Sequence, residues 1–135
     1  MIKKSIEIIA ELYEALARRD LTVILSLIDP EIIVSQTKLL PWGGEYYGFE
    51  GVQKFFTQLF QSVDSQLAVD EFVDAGDRVI VIGSTRGRVR ATGAQFNIRA
   101  VHVWTVKDGK GIRFEPHVDT PKMLEALRQG SESVR

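Results

Sequence analysis

The 135-residue chain has no cysteine, two histidines, two tryptophans and four prolines. Without a thiol, disulfide staples, cysteine nucleophiles, cysteine-ligated zinc and iron–sulfur clusters are all excluded. An excess of charge is missing too: 17 basic residues stand against 18 acidic ones, a net charge of −1. That balance gives no basic footprint for nucleic acid or an anionic membrane. No apolar run reaches the roughly 18 residues of a membrane span. Behind Lys3 and Lys4, the residues Glu7, Glu11 and Glu14 interrupt any leader-like apolar segment, so the expectation is a soluble, cytoplasmic protein. No phosphate loop, metal-ligand cluster or Ser/His/Asp signature stands out, and neither cofactor nor metal is expected. At 44% hydrophobic residues the chain can bury a core, and with no linker or repeat it reads as a single domain over residues 1–135.

Apolar residues then set the elements. Ile2, Ile6, Ile9, Leu12, Tyr13 and Leu16 recur at steps of three and four, an amphipathic helix ending near Arg18 and Arg19. Asp20 can cap a short helix through Leu27, which Asp29 and Pro30 stop. Ile32, Ile33 and Val34 read as a short strand, followed by a Gly- and aromatic-rich loop from Lys38 to Phe49. Val52, Phe55, Phe56, Leu59, Phe60 and Val63 give the cleanest helical period in the chain. From Gln66 the period drops to two, and strands are predicted over about 66–74, 78–90, 95–106 and 112–118. Their short, turn-rich connections force antiparallel neighbours. Thr120 and Pro121 open a last helix that Gly130 ends. Helices in front and an antiparallel meander behind make the class α+β.

One face of the meander stands out. If the turn at 91–94 closes a tight hairpin, Gly83 faces His102, Gly87 faces Ile98, Thr85 faces Ala100 and Val81 faces Trp104. Ile112, Phe114, Pro116 and Val118 extend the same side, which is apolar enough to meet the helices. Gly83, Gly87 and Ala100 leave room there, so a cavity is expected beside His102, its one polar group. The walls are expected from Trp104 and Phe114 on the sheet, Tyr13 on the first helix, Phe55 on the third, and Trp42 and Tyr46 on the loop. The outer face carries Ile80, Ile82, Val101 and Val103, aliphatics that a second subunit would cover, giving a homodimer. It also carries Arg86, Arg88, Arg90 and Arg99; Glu115, His117 and Asp119 share its parity unless Pro116 forces a bulge.

The run Leu40-Pro41-Trp42-Gly43-Gly44-Glu45-Tyr46-Tyr47-Gly48 leading into Gly51-Val52, the run His102-Val103-Trp104-Thr105-Val106-Lys107-Asp108-Gly109-Lys110, the pair Phe114-Glu115 and the run Val118-Asp119-Thr120 resemble the SnoaL-like branch of the NTF2-like superfamily. That branch includes ketosteroid-isomerase-related proteins and polyketide cyclases. The resemblance implies a cone, with helices packed in the concave face of a curved antiparallel sheet around a deep pocket, and dimers formed back to back through the sheet. Aligned to the ketosteroid isomerases, which use an Asp base beside a Tyr and a protonated Asp, the base falls on Ser35 and the oxyanion acid on His102. The tyrosine falls on Leu12, next to Tyr13. A serine is no unassisted base near neutral pH, so the resemblance implies ligand contact at His102 rather than the isomerase reaction.

Three functions remain open. One is an enzyme that moves a proton on a small, mostly apolar carbonyl compound (isomerase, cyclase or lyase type), with His102 as acid/base and Asp119, Tyr13 or Tyr46 orienting it. The second is a non-catalytic binder of a small hydrophobic molecule in the same pocket. The third is a dimerisation module. A tyrosine or carboxylate within hydrogen-bond reach of His102 favours the enzyme.

Overall fold

The computed structural model describes residues 4–133, with side chains described through Gln129; Ile2 lies outside that range. Helix α1 (Ser5–Arg18) buries Ile8, Ile9, Leu12 and Ala15 along one stripe, as its spacing requires. Asp20 caps α2 (Leu21–Leu27) by accepting the Val23 N–H at 3.2 Å. Strand β1 (Ile28–Gln36) is longer than its apolar core of three residues, and β2 (Gly44–Tyr47) lies inside the segment expected to be loop. Helix α3 (Gly48–Ser62) follows, then β3 (Val63–Ala75), β4 (Arg78–Val89), β5 (Gln95–Lys107), β6 (Lys110–Val118) and α4 (Thr120–Ser133). Gly130 does not end the last helix, which continues for one more turn.

The six strands form one curved sheet in the order β2-β1-β6-β5-β4-β3. Every neighbouring pair is antiparallel except β1 with β6, where Val34 lies beside Phe114 in parallel. The meander is therefore closed on one side by chain from the front of the sequence. Val79, Val81, Val89, Phe96, Ile98, Ala100, Trp104 and Phe114 are all buried on the face that meets the helices. The class is α+β.

The β4–β5 register differs from the hairpin expectation by two residues. Gly83 pairs with Ala100 and Gly87 with Phe96, while His102 lies between Val81 and Pro116. The connection is wider than a tight turn: the Val89 N–H reaches the Ala94 carbonyl, and the Gly93 N–H folds back to Val89 with Gly93 at φ +79°. A slip of two preserves every side-chain facing, so the inner and outer faces stand as read. Its effect falls on the glycines. A Cβ at Gly83 would sit 2.1 Å from the Ala68 carbonyl oxygen, and one at Gly87 would sit 2.0 Å from that of Asp64. The space expected to be a cavity is occupied by the backbone of β3, which presses against β4 beside a bulge between Val69 and Glu71. These glycines permit a close approach of two strands.

At the edge of β6, Ile112 is the extra residue of a bulge: Val106 pairs with Gly111 and Thr105 with Arg113. Gly111, not Ile112, lies under the Trp104 ring, 3.1 Å from where its Cβ would stand. No register shift occurs at Pro116, so Glu115 and His117 keep the outward facing opposite Val103 and Val101.

Candidate functional site

His102 lies mid-sheet on the inner face, half-buried, with its ring edge against Phe114 at a centroid distance of 5.1 Å. Phe114 is stacked on Trp104 at 4.3 Å and meets Phe55 of α3 edge-on at 6.1 Å. Helix α1 brings Tyr13 over this layer, one residue after the fully buried Leu12. The Tyr13 hydroxyl lies 2.6 Å from His102 Nδ1 and accepts the Trp104 indole N–H at 2.9 Å.

Those two contacts suit one assignment of the protons. An indole nitrogen can only donate, so the tyrosine oxygen is the acceptor toward Trp104 and its single proton is free to go to Nδ1. A neutral imidazole whose Nδ1 accepts must carry its proton on Nε2. Burial, aided by the charge of His117 across the sheet, pulls His102 down to about 4, so the ring is neutral near pH 7. Burial also pushes the Tyr13 phenol above its ordinary value, with the Trp104 bond pulling the other way. Among the described residues Nε2 has no hydrogen-bond partner, and since no fully buried side-chain nitrogen or oxygen there lacks one, Nε2 keeps some solvent contact. The arrangement is a relay of donors from Trp104 through Tyr13 to His102, ending in the Nε2 N–H.

The structure brings together Tyr13, His102, Trp104, Phe114 and Phe55. Trp42 and Tyr46 are held elsewhere. Both are buried, and the Tyr46 hydroxyl donates to the Trp42 carbonyl at 3.0 Å and sits 2.6 Å from the Gln58 amide. Tyr46 reaches the site only through its ring contact with Phe55 at 5.5 Å. The expected loop over a pocket mouth is thus a strand and a fixed turn. Phe56, next to Phe55, turns away and stacks on Phe60. Asp119 sits ahead of α4, where its carboxylate accepts the Lys122 N–H at 3.3 Å and its own N–H donates to Arg99. It caps the helix in place of Thr120.

No cavity of the expected kind encloses His102 among the two that stand out in the described residues. One, of about 720 Å³, lies between residues 38–41 and the start of α4, lined by Leu39, Leu40, Leu124 and Leu127. The other, of about 460 Å³, lies between β2 and α3. The reason is the filling of the Gly83 and Gly87 space by β3. His102 itself is half-buried among Trp104, Phe114 and Val81, and lines neither cavity.

One inner-face polar residue escaped the sequence reading. Gln36 is buried, and its Nε2 donates to the Pro116 carbonyl at 3.2 Å. Strand alternation puts Val34 and Gln36 inward, so the residue aligned with the isomerase base, Ser35, faces out opposite Glu45. The signal was available: continuing the period of two from Ile32 and Val34 leads to Gln36.

The sequence profile of the SnoaL-like domain matches residues 9–114. An NTF2-like protein from Burkholderia thailandensis is 33% identical, with 93% of this chain and 98% of that one covered at a TM-score of 0.86. An NTF2-like protein from Burkholderia pseudomallei is 30% identical over 90% and 95% of the two chains, at 0.82. TerC, co-crystallised with polyporic acid, is 30% identical over 92% and 98%, also at 0.82. No curated protein matches the chain.

Proposed function

The chain belongs to the SnoaL-like family, and we propose that its inner face binds a small, mostly apolar carbonyl compound at His102 and promotes its enolisation, the step shared by isomerase-, cyclase- and lyase-type chemistry. The observation that carries this is the 2.6 Å bond from Tyr13 to His102 Nδ1, which leaves Nε2–H as a fixed donor. A neutral imidazole donor does not charge up at neutral pH. It hydrogen-bonds a carbonyl oxygen and strengthens that bond as negative charge develops on it. Preorganisation comes from Trp104 and Tyr13, which hold the ring without solvent. Trp104, Phe114 and Phe55 supply apolar surface for the rest of the ligand. The co-crystallisation of TerC with polyporic acid supports a small organic ligand for a chain of this kind. Solved structures at 18% identity include candidate polyketide cyclases, which agree in fold.

A proton acceptor is the missing half of such a reaction. In the Trp104–Tyr13–His102 relay every proton is donated toward the ligand, so the α-proton must leave to a group outside it, such as water. That observation favours the second reading, a binder with no chemistry of its own. Proton NMR of acetophenone in D2O separates them. Exchange of its methyl protons that depends on the protein and is lost in His102→Gln supports the enzyme; His102-dependent binding without exchange supports the binder; no binding ends both.

The outer face supports a back-to-back pair. Ile80 pairs with Val103 and Ile82 with Val101, so four half-buried aliphatics form one block across β4 and β5. Arg99 beside them is paired with Asp70 at 3.9 Å, and the Arg90 guanidinium is turned onto the Phe60 carbonyl at the end of α3. The arginine row is therefore partly spent within the fold.

A further inference from the structure

We propose that the groove between the turn at 38–41 and α4 is a second ligand site, separate from His102, and that it takes an aliphatic carboxylate of medium length. The groove has a volume of about 720 Å³ and is walled by Leu39, Leu40, Leu124 and Leu127. The charged side chains on its lining, Lys38 and Arg128, are both cations, although the chain as a whole carries a net charge of −1. Both are exposed, and among the described residues neither side chain has a hydrogen bond or an ion pair. An apolar trough with unspent positive charge beside it is complementary to a molecule with an apolar body and one negative end.

Local structure holds both walls in place. Leu39 is 68% exposed, and a bonded turn keeps it so. The Thr37 hydroxyl accepts the Leu39 N–H at 3.3 Å, the Thr37 carbonyl accepts the Leu40 N–H at 3.3 Å, and the Gly43 N–H returns to the Leu40 carbonyl at 2.9 Å. A Cβ at Gly43 would stand 2.0 Å from the Thr37 carbonyl oxygen, so the turn closes tightly. The turn buries Leu40 and leaves its neighbour Leu39 outside the core. On α4, Met123 and Ala126 fill the core, while Pro121, Leu124, Leu127 and Arg128 follow one another at helical steps along the groove. That ledge runs about 10 Å at the rise of an α-helix, a length suited to octanoate. Helical side chains lean toward the N-terminus, so Arg128 reaches back over Leu124. Its methylenes then cover the apolar body, and its planar fork matches a carboxylate at the charged end.

The test titrates the full chain with octanoate, followed in nitrogen-15–proton correlation spectra, and repeats the titration with 1-octanol and with acetate. Octanoate at millimolar concentration should shift the backbone amides of residues 38–40 and 124–128, acetate should leave them in place, and 1-octanol should bind more weakly than octanoate. Lys38→Gln and Arg128→Gln change exposed side chains, so the fold survives. Each should weaken octanoate about 1.5- to 5-fold, the value of one exposed ion pair, and leave 1-octanol unchanged. Leu39→Ser should weaken octanoate and 1-octanol alike, and His102→Gln should bind octanoate as the wild type does. Amides indifferent to octanoate, 1-octanol bound as tightly as octanoate, or octanoate affinity untouched by both cation substitutions would each overturn the site. Loss of octanoate binding in His102→Gln would place the acid at His102 instead. A dimer that becomes a monomer in Leu39→Ser, measured by sedimentation, would assign the groove to a second copy of the chain and overturn it as a ligand site.

Discussion

Acidification tests the proton assignment at His102 directly. In the unfolded chain this imidazole takes up a proton at its ordinary value of about 6.5, whereas in the fold it resists until about 4. Between those limits the unfolded state holds the extra proton, so stability contributed by the neutral ring is complete above about pH 6.5 and is lost as pH falls toward 4. A shift of that size is worth about 2–3 kcal/mol at about pH 4.5, taken toward the lower figure because the residue keeps some solvent contact. Carboxylates titrate in the same range, so the measurement must be differential. Urea denaturation of the wild type and of His102→Gln, at about pH 7.5 and about pH 4.5, isolates the ring, since the glutamine oxygen can still accept the Tyr13 proton and does not titrate. The wild type should lose about 2 kcal/mol more than the variant on acidification. Nitrogen-15 shifts should report Nδ1 as the unprotonated nitrogen at neutral pH. Equal losses in the two proteins, or a proton found on Nδ1, would refute both the tautomer and its cause.

Tyr13→Phe removes the acceptor of a buried indole N–H and the donor to His102 at once, and should cost about 1–3 kcal/mol in denaturation while raising the pH at which His102 titrates, as the ring gains water. Gly87→Ala should cost at least about 1–3 kcal/mol, because its methyl would stand 2.0 Å from the Asp64 carbonyl, which is backbone and cannot swing aside; a neutral result by thermal denaturation would show that β3 is not pressed against β4. Asp119→Ala should lose about 0.5–2 kcal/mol as a helix cap, with ketone titrations unchanged by NMR. Sedimentation should give a dimer for the wild type at micromolar concentration and a monomer for Val103→Arg, and a wild-type monomer would leave the Ile80–Val103 block without its partner.

The parity of the sheet was legible because it is local. A period of two survives any even slip, so Val81, Ala100, His102, Trp104 and Phe114 were assigned inward correctly even though the hairpin was closed two residues too tightly. Pairings between distant segments carry no such signal. Nothing in the composition of Ile32-Ile33-Val34 says that this strand lies parallel to β6, and the four residues of β2 are hidden among glycines, a proline and aromatics that read as loop. Trp42 and Tyr46 follow from the same pairing: Tyr46 sits in that short strand, and its hydroxyl is bonded to the carbonyl of Trp42, which is itself buried in the turn before it.

Glycine shows how the remaining error arose. A missing side chain on an inner face has two physical meanings, a vacancy or a close approach, and β4 alone cannot distinguish them. The answer lies on β3, whose carbonyls at Asp64 and Ala68 come to where the methyls would be. The glycines therefore mark a close approach of β3 to β4 and do not hollow out a space beside His102. Replacing Gly83 with Leu, which a vacancy would accept, should therefore unfold the β3–β4 pair, and a variant as stable as the wild type in thermal denaturation would show that the space beside Gly83 is empty after all.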